Sequence, residues 1–169
     1  MESSPLRSAE RRYLTRAAHT IREAITTAPI VLGMPRPRLL VISLSSIHRD
    51  ARVLRQISVV REFGDVTTIG YGPAPEGVEH IQVPSALASL PQDLPGVTKL
   101  ALRRLRSAEL AAPAVRWALT ALKGRTFDVV IANEARALPL AERVADGAPI
   151  WVDLHEWAPE ERTQVLSWR

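Results

Sequence analysis

Asp153 and His155 stand two residues apart in WVDLHEWAPEE, residues 151 to 161, where an apolar run breaks into acid, imidazole and indole. In a regular strand residues i and i+2 share a face. The carboxylate can then orient the imidazole through a hydrogen bond, and a histidine so held donates to a substrate oxygen or exchanges a proton near neutral pH. His155 is the candidate catalytic residue; the equally open reading is a satisfied polar pair that finishes a strand. Glu156 and Trp157 are candidate substrate-binding residues beside it. The indole can stack on a sugar ring or pack under a neighbour, and the glutamate can belong to a solvated acidic face that starts a helix.

Two other apolar runs end in polar clusters. SLSSIHRD, residues 43 to 50, supplies Ser45, Ser46, His48 and Asp50, and ANEAR, residues 132 to 136, supplies Asn133 and Glu134. All six are candidate substrate-binding residues. Serine hydroxyls and free amides at a helix start can hold a phosphate or a sugar hydroxyl, or Ser45, Ser46 and Asp50 can do no more than cap the helix.

Several chemistries are disfavoured. SLSSIHRDA contains no glycine, so the G-x-G-x-x-G turn of a dinucleotide site is missing. A triad of Ser45 or Ser46 with His155 and Asp153 lacks the G-x-S-x-G elbow. Without cysteine there are no thiolate ligands or thiol nucleophiles, and one imidazole with scattered carboxylates lacks the spacing of a metal site. No metal and no cofactor are expected.

The elements that must position these residues follow from periodicity. LLVISLSS (39–46), DVTTIGYG (65–72), HIQVP (80–84), FDVVIANE (127–134) and PIWVDLHE (149–156) read as strands. Between them, 50–64 has Val53, Leu54, Ile57, Val60 and Phe63 on one stripe, with Asp50 to cap it and Gly64 to stop it. Residues 97–124 read as helical on both sides of Pro113, which kinks the helix or starts a second one, and 135–147 holds a short helix. Strands alternating with helices predict an α/β fold, a Rossmann-like doubly wound parallel sheet, with ligands outside the carboxyl ends of the strands.

The chain has 169 residues, 46% hydrophobic and 24% charged, enough for one domain with a sizeable core. The formal charge is +4 and, with Lys99 and Lys123 the only lysines, nearly all the positive charge is arginine. That suits a phosphate-bearing partner, but with 5% aromatic residues and no zinc-finger or RNP-like motif, nucleic acid is not expected. Residues 5–27 have Leu6, Leu14, Ala17 and Ile21 on one side and arginines largely elsewhere. This basic amphipathic helix fits an anionic membrane surface or partner, or docks on the domain. The prolines of GMPRPR (33–38) then separate an extension, 1–35, from a domain, 36–169. No run has the length of a signal peptide core or a membrane span, so the chain is expected in the cytoplasm, soluble or peripheral at the inner membrane surface.

RDARVLRQISVVREFGDVTTIGYG resembles the opening of family 4-like GT-B glycosyltransferases, in which a first strand is followed by a D-x-R-V-x-R helix, a glycine and the second strand. FDVVIANEARALPLAERVADGAPIWVDLHEWAPEE is similar to a later segment of that family: a strand ending in a polar motif, an L-P-x-A helix, and a strand ending in D-x-H-E-x-x-P-E. The resemblance covers about residues 36–165. It implies the N-terminal, acceptor-side half-domain of a retaining glycosyltransferase, which moves a sugar from a nucleotide-sugar donor to a glycan, lipid or small-molecule acceptor. Asp50 and Arg52 fall in its first helix motif, Asn133 and Glu134 at its fourth strand end, and His155 with Glu156 in its cleft-lining H-E pair. The chain departs from the family in two ways. Serine and isoleucine in SSIH replace the glycine pair many members place after the first strand, and the donor-binding domain with its E-x7-E carboxylates is not found. The expectation is a half-enzyme inactive alone, with a separate donor-binding chain as one partner; the alternative is a noncatalytic binding module with a basic surface.

Overall fold

RLLVISLSS forms β1 (Arg38–Ser46), the central strand of the computed structural model, which describes residues 35–154. Residues Leu39 to Leu44 are all buried, as a parallel strand covered on both faces requires. With β2 (Asp65–Tyr71), β3 (Glu79–Gln82), β4 (Val129–Asn133) and β5 (Ile150–Asp153) it makes one sheet in the order β3-β2-β1-β4-β5. Every pairing is parallel. The chain runs outward from β1 to β3, then returns to the other side of β1 for β4. The reversal falls between β1 and β4, where a doubly wound sheet opens its ligand crevice.

Alternation along the strands assigns the faces. Leu39, Val41, Val66, Val129 and Ile131 pack against Val53, Ile57 and Val60 of α1 (Ala51–Val60). On the opposite face, Leu40, Ile42, Ile69, Val130 and Ala132 pack against α4 (Pro113–Ala121) and α5 (Leu138–Val144) through Ala114, Val115, Ala118, Leu140 and Ala141. The fold is α/β, a five-stranded parallel Rossmann-like sheet with helices on both faces.

The structure differs from the sequence expectation in two local ways. The first helix stops at Val60, four residues short of Gly64; its end tightens into i→i+3 bonds, Glu62 to Val59 at 3.2 Å and Phe63 to Val60 at 3.0 Å, before the Asp65 amide reaches the Pro37 carbonyl at 2.8 Å and starts β2. The stretch expected as one helix or two is three: α2 (Leu94–Ala101), α3 (Leu105–Glu109) and α4. The Asp93 carboxylate accepts the Gly96 amide at 3.1 Å at the head of α2, Arg103 in the left-handed region (φ 55°) follows its end, and Pro113 opens α4. As the turn-rich stretch PAPEG predicts, β2 and β3 are joined without a helix. Residues 72–78 span about 23 Å when extended, more than the roughly 14 Å back to Glu79's place beside Thr67.

Among the described residues no helix is long and apolar enough to cross a membrane. The helix expected at 5–27, and His155, Glu156 and Trp157, lie outside the described residues.

Candidate functional site

Three polar residues form one row across the carboxyl ends of three strands. Ser43 of β1 pairs in register with Asn133 of β4, and Asn133 with Asp153 of β5. Strand parity places all three on the α1 face, where Gln56 of α1 comes down on them. These four side chains are only 0 to 4% exposed. The Asn133 amide nitrogen donates to Gln56 Oε1 at 2.9 Å and to the Ile42 carbonyl at 3.4 Å, and Gln56 Nε2 donates to Asp153 Oδ2 at 3.3 Å. Asn133 Oδ1 is buried without a donor among the described residues. A buried acceptor left open costs about 1–3 kcal/mol.

β1 is irregular where it meets this row. Its register with β2 shifts between Ile42 and Ser46, a bulge of the kind that re-aims side chains. Gly70 permits it: a Cβ there would lie 2.4 Å from the Ser43 carbonyl oxygen and 2.7 Å from Ile47 Cδ1. Across the bulge the Ser43 and Ser45 hydroxyls are 2.9 Å apart, and Ser45 donates to Asp50 Oδ2 at 3.5 Å. Asp50 Oδ1 in turn accepts the Arg52 and Val53 amides, each at 3.2 Å. This cap occupies the helix-start amides on which a phosphate would depend and puts a carboxylate beside them.

Glu134 follows Asn133 with φ 74° and ψ 150°, a backbone region otherwise reserved for glycine. Its amide donates to the Asp153 carbonyl at 3.0 Å, which stitches β4 to β5 just beyond the polar row. Strain of about 1–3 kcal/mol held at one strand end is characteristic of ligand sites.

On the other face the rim is fastened from within. Arg136, just past Glu134, donates to the Ser89 carbonyl at 2.5 Å and to Glu109 at 3.3 Å, while the Tyr71 hydroxyl donates to the Leu87 carbonyl at 2.6 Å. Burial pushes the Glu109 carboxyl up despite Arg136, and pushes the Tyr71 phenol up as well. Arg136 thus ties down the loop after β3. His48 sits apart from the polar row: its imidazole lies against Gly72 (φ +84°), where a Cβ would come within 2.3 Å of Nδ1. On Gly72's other side His80 bonds the Gly72 carbonyl through Nε2 at 3.1 Å and Thr68 through Nδ1 at 2.8 Å. Burial lowers the His80 pKa, opposed by the Gly72 carbonyl.

Of the residues singled out from sequence, Ser45, Asp50, Asn133 and Glu134 gather at or beside the polar row. Ser46 is exposed at the end of β1, and His48 turns toward β2. Gln56 and His80 were missed by sequence reasoning. Gln56 carried a signal, since a polar residue three after Val53 and four before Val60 sits inside the apolar stripe; His80 carried none. No family model matches the chain, and neither a search of curated proteins nor one of solved structures returns a match.

Proposed function

We propose that the rim at the β1–β4 reversal binds the hydroxyls of a sugar or polyol, and that the chain is the acceptor-side domain of a GT-B glycosyltransferase. In this reading it acts with a nucleotide-sugar-binding domain, in the same polypeptide or in another chain. The observation that carries the reading is the buried row Ser43, Asn133 and Asp153 under Gln56, with an open amide acceptor at Asn133 Oδ1 among the described residues. Amide, hydroxyl and carboxylate groups in fixed positions recognise hydroxyls, and holding an acceptor hydroxyl in attacking geometry is how such a half-site contributes to transfer. The motif resemblance supplies the reaction class. His155, two residues beyond Asp153, is the group assigned to a sugar oxygen.

The test is saturation-transfer NMR on the full chain with methyl glucoside, methyl mannoside, methyl N-acetylglucosaminide, UDP-glucose and GDP-mannose as probes. At least one glycoside is expected to bind and to lose binding in Asn133→Ala, with the nucleotide sugars weaker. If no glycoside binds, or nucleotide sugars bind best and ignore Asn133→Ala, the acceptor-side reading fails. Transfer itself is read on the native gene product pulled down from its source cells and supplied with labelled nucleotide sugars. Absence of transfer to any endogenous lipid or glycan would count against the transferase class.

A further inference from the structure

Among the described residues, four of the five large exposed apolar side chains fall in one short stretch, the fifth being Leu154 just after β5. Leu94, Leu102 and Leu105 are 80%, 62% and 59% exposed, at the start of α2, in the turn after it and at the start of α3. Leu90, 50% exposed, lies just before them. The same stretch is basic: from Leu94 to Ala108 it contains Lys99, Arg103, Arg104 and Arg106 and no acidic residue. Arg106 pairs with Glu142 at 2.7 Å, and Arg103 and Arg104 are exposed between two of the leucines.

We propose that α2, α3 and the turn between them form a docking surface for an anionic lipid bilayer. Each leucine at the turn is immediately followed or preceded by an arginine, in Leu102-Arg103-Arg104-Leu105-Arg106. Positive charge without acidic residues, alternating with leucine at the turn, complements a surface that is anionic outside and apolar beneath. At a bilayer both halves are satisfied: leucines enter the acyl boundary while guanidinium groups remain with the headgroup phosphates. The loop that leads into the surface is tied to the ligand rim by the Arg136–Ser89 and Tyr71–Leu87 bonds. Docking would therefore bring a lipid-borne molecule beside the strand ends. The inference does not depend on the transferase reading, because it rests on exposure and charge alone.

The experiment is co-sedimentation of the full chain with vesicles of phosphatidylcholine, with and without phosphatidylglycerol at about one lipid in three. Binding is expected only with the anionic lipid, and it should weaken severalfold as salt rises from about 0.05 M to about 0.5 M. Each basic residue near such a surface is worth about a fivefold change in partition, so Arg103→Gln/Arg104→Gln should lose about 25-fold. Leu94→Gln/Leu102→Gln/Leu105→Gln should lose at least about tenfold. These side chains are exposed, so both variants should melt as the parent does. The proposal is overturned if the parent does not bind anionic vesicles, if both variants bind as the parent does, or if the leucine variant only dissociates a solution dimer.

Discussion

Glu134→Gly should make the protein more stable while it weakens the site. At φ 74° and ψ 150° the glutamate occupies backbone space that costs a residue with a Cβ about 1–3 kcal/mol. Glycine adopts the conformation freely but adds about 0.5–1 kcal/mol of unfolded-state entropy. The expected net gain is about 0.5–2 kcal/mol, or about 2–8 °C in Tm for a domain of this size. Glu134→Ala supplies the control: it removes the same carboxylate and keeps the Cβ, so the difference between the two variants isolates the backbone contribution. Urea unfolding followed by circular dichroism should place Glu134→Gly above Glu134→Ala by at least about 0.5 kcal/mol with the same m-value. An alanine variant as stable as the glycine variant would refute the strain argument. In the same pair, glycoside binding should fall further with glycine, because a relaxed strand end no longer holds Asn133 and the Asp153 carbonyl in place.

Gln56→Ala removes Nε2 from Asp153 and Oε1 from Asn133, and should cost about 1–3 kcal/mol in denaturant unfolding; a neutral result would mean the polar row is not a structural unit. Gly70→Ala forces a methyl to 2.4 Å from the Ser43 carbonyl. It should destabilise by about 2 kcal/mol or more and shift the amide resonances of residues 43–47, whereas an unperturbed spectrum would contradict the close approach. Burial lowers the His80 pKa below its unfolded value, so the unfolded chain binds the proton more readily. The contribution is complete above the ordinary histidine pKa of about 6.5 and is lost as pH falls through it toward the folded value. Tm should fall between about pH 7.5 and about pH 5, and His80→Gln should flatten that part of the profile; an unchanged profile would remove His80 as its source.

The fold was legible because strands and helices carry different periods. The apolar run at 39–46 and the stripe at 53, 57 and 60 needed no partner to be read, and both pack as their patterns require. Helix ends were less legible, since Val60 and Arg103 mark boundaries imposed by where the next strand or helix must begin. The polar row was half legible. Asn133 and Asp153 stand at the ends of apolar runs, but the row they complete with Ser43 is a matter of register between strands far apart in the chain, which no local pattern encodes. Asp50 was correctly suspected of capping; what the sequence alone did not reveal is that the cap takes the amides a phosphate would have used. The residual signal was Gln56, a polar side chain in an apolar stripe that finds its partners only when the sheet closes beneath it.

The most direct test of sugar binding at the strand ends is a map of backbone amide shifts in the full chain as methyl glycosides are titrated in. Saturable shifts are expected at Ser43, Ser45, Asn133 and Glu134, and they should disappear in Asn133→Ala. Shifts confined to the opposite, amino end of the sheet, around the cavity lined by Arg36, Arg61 and Thr67, would contradict that binding mode, as would no shift at any residue.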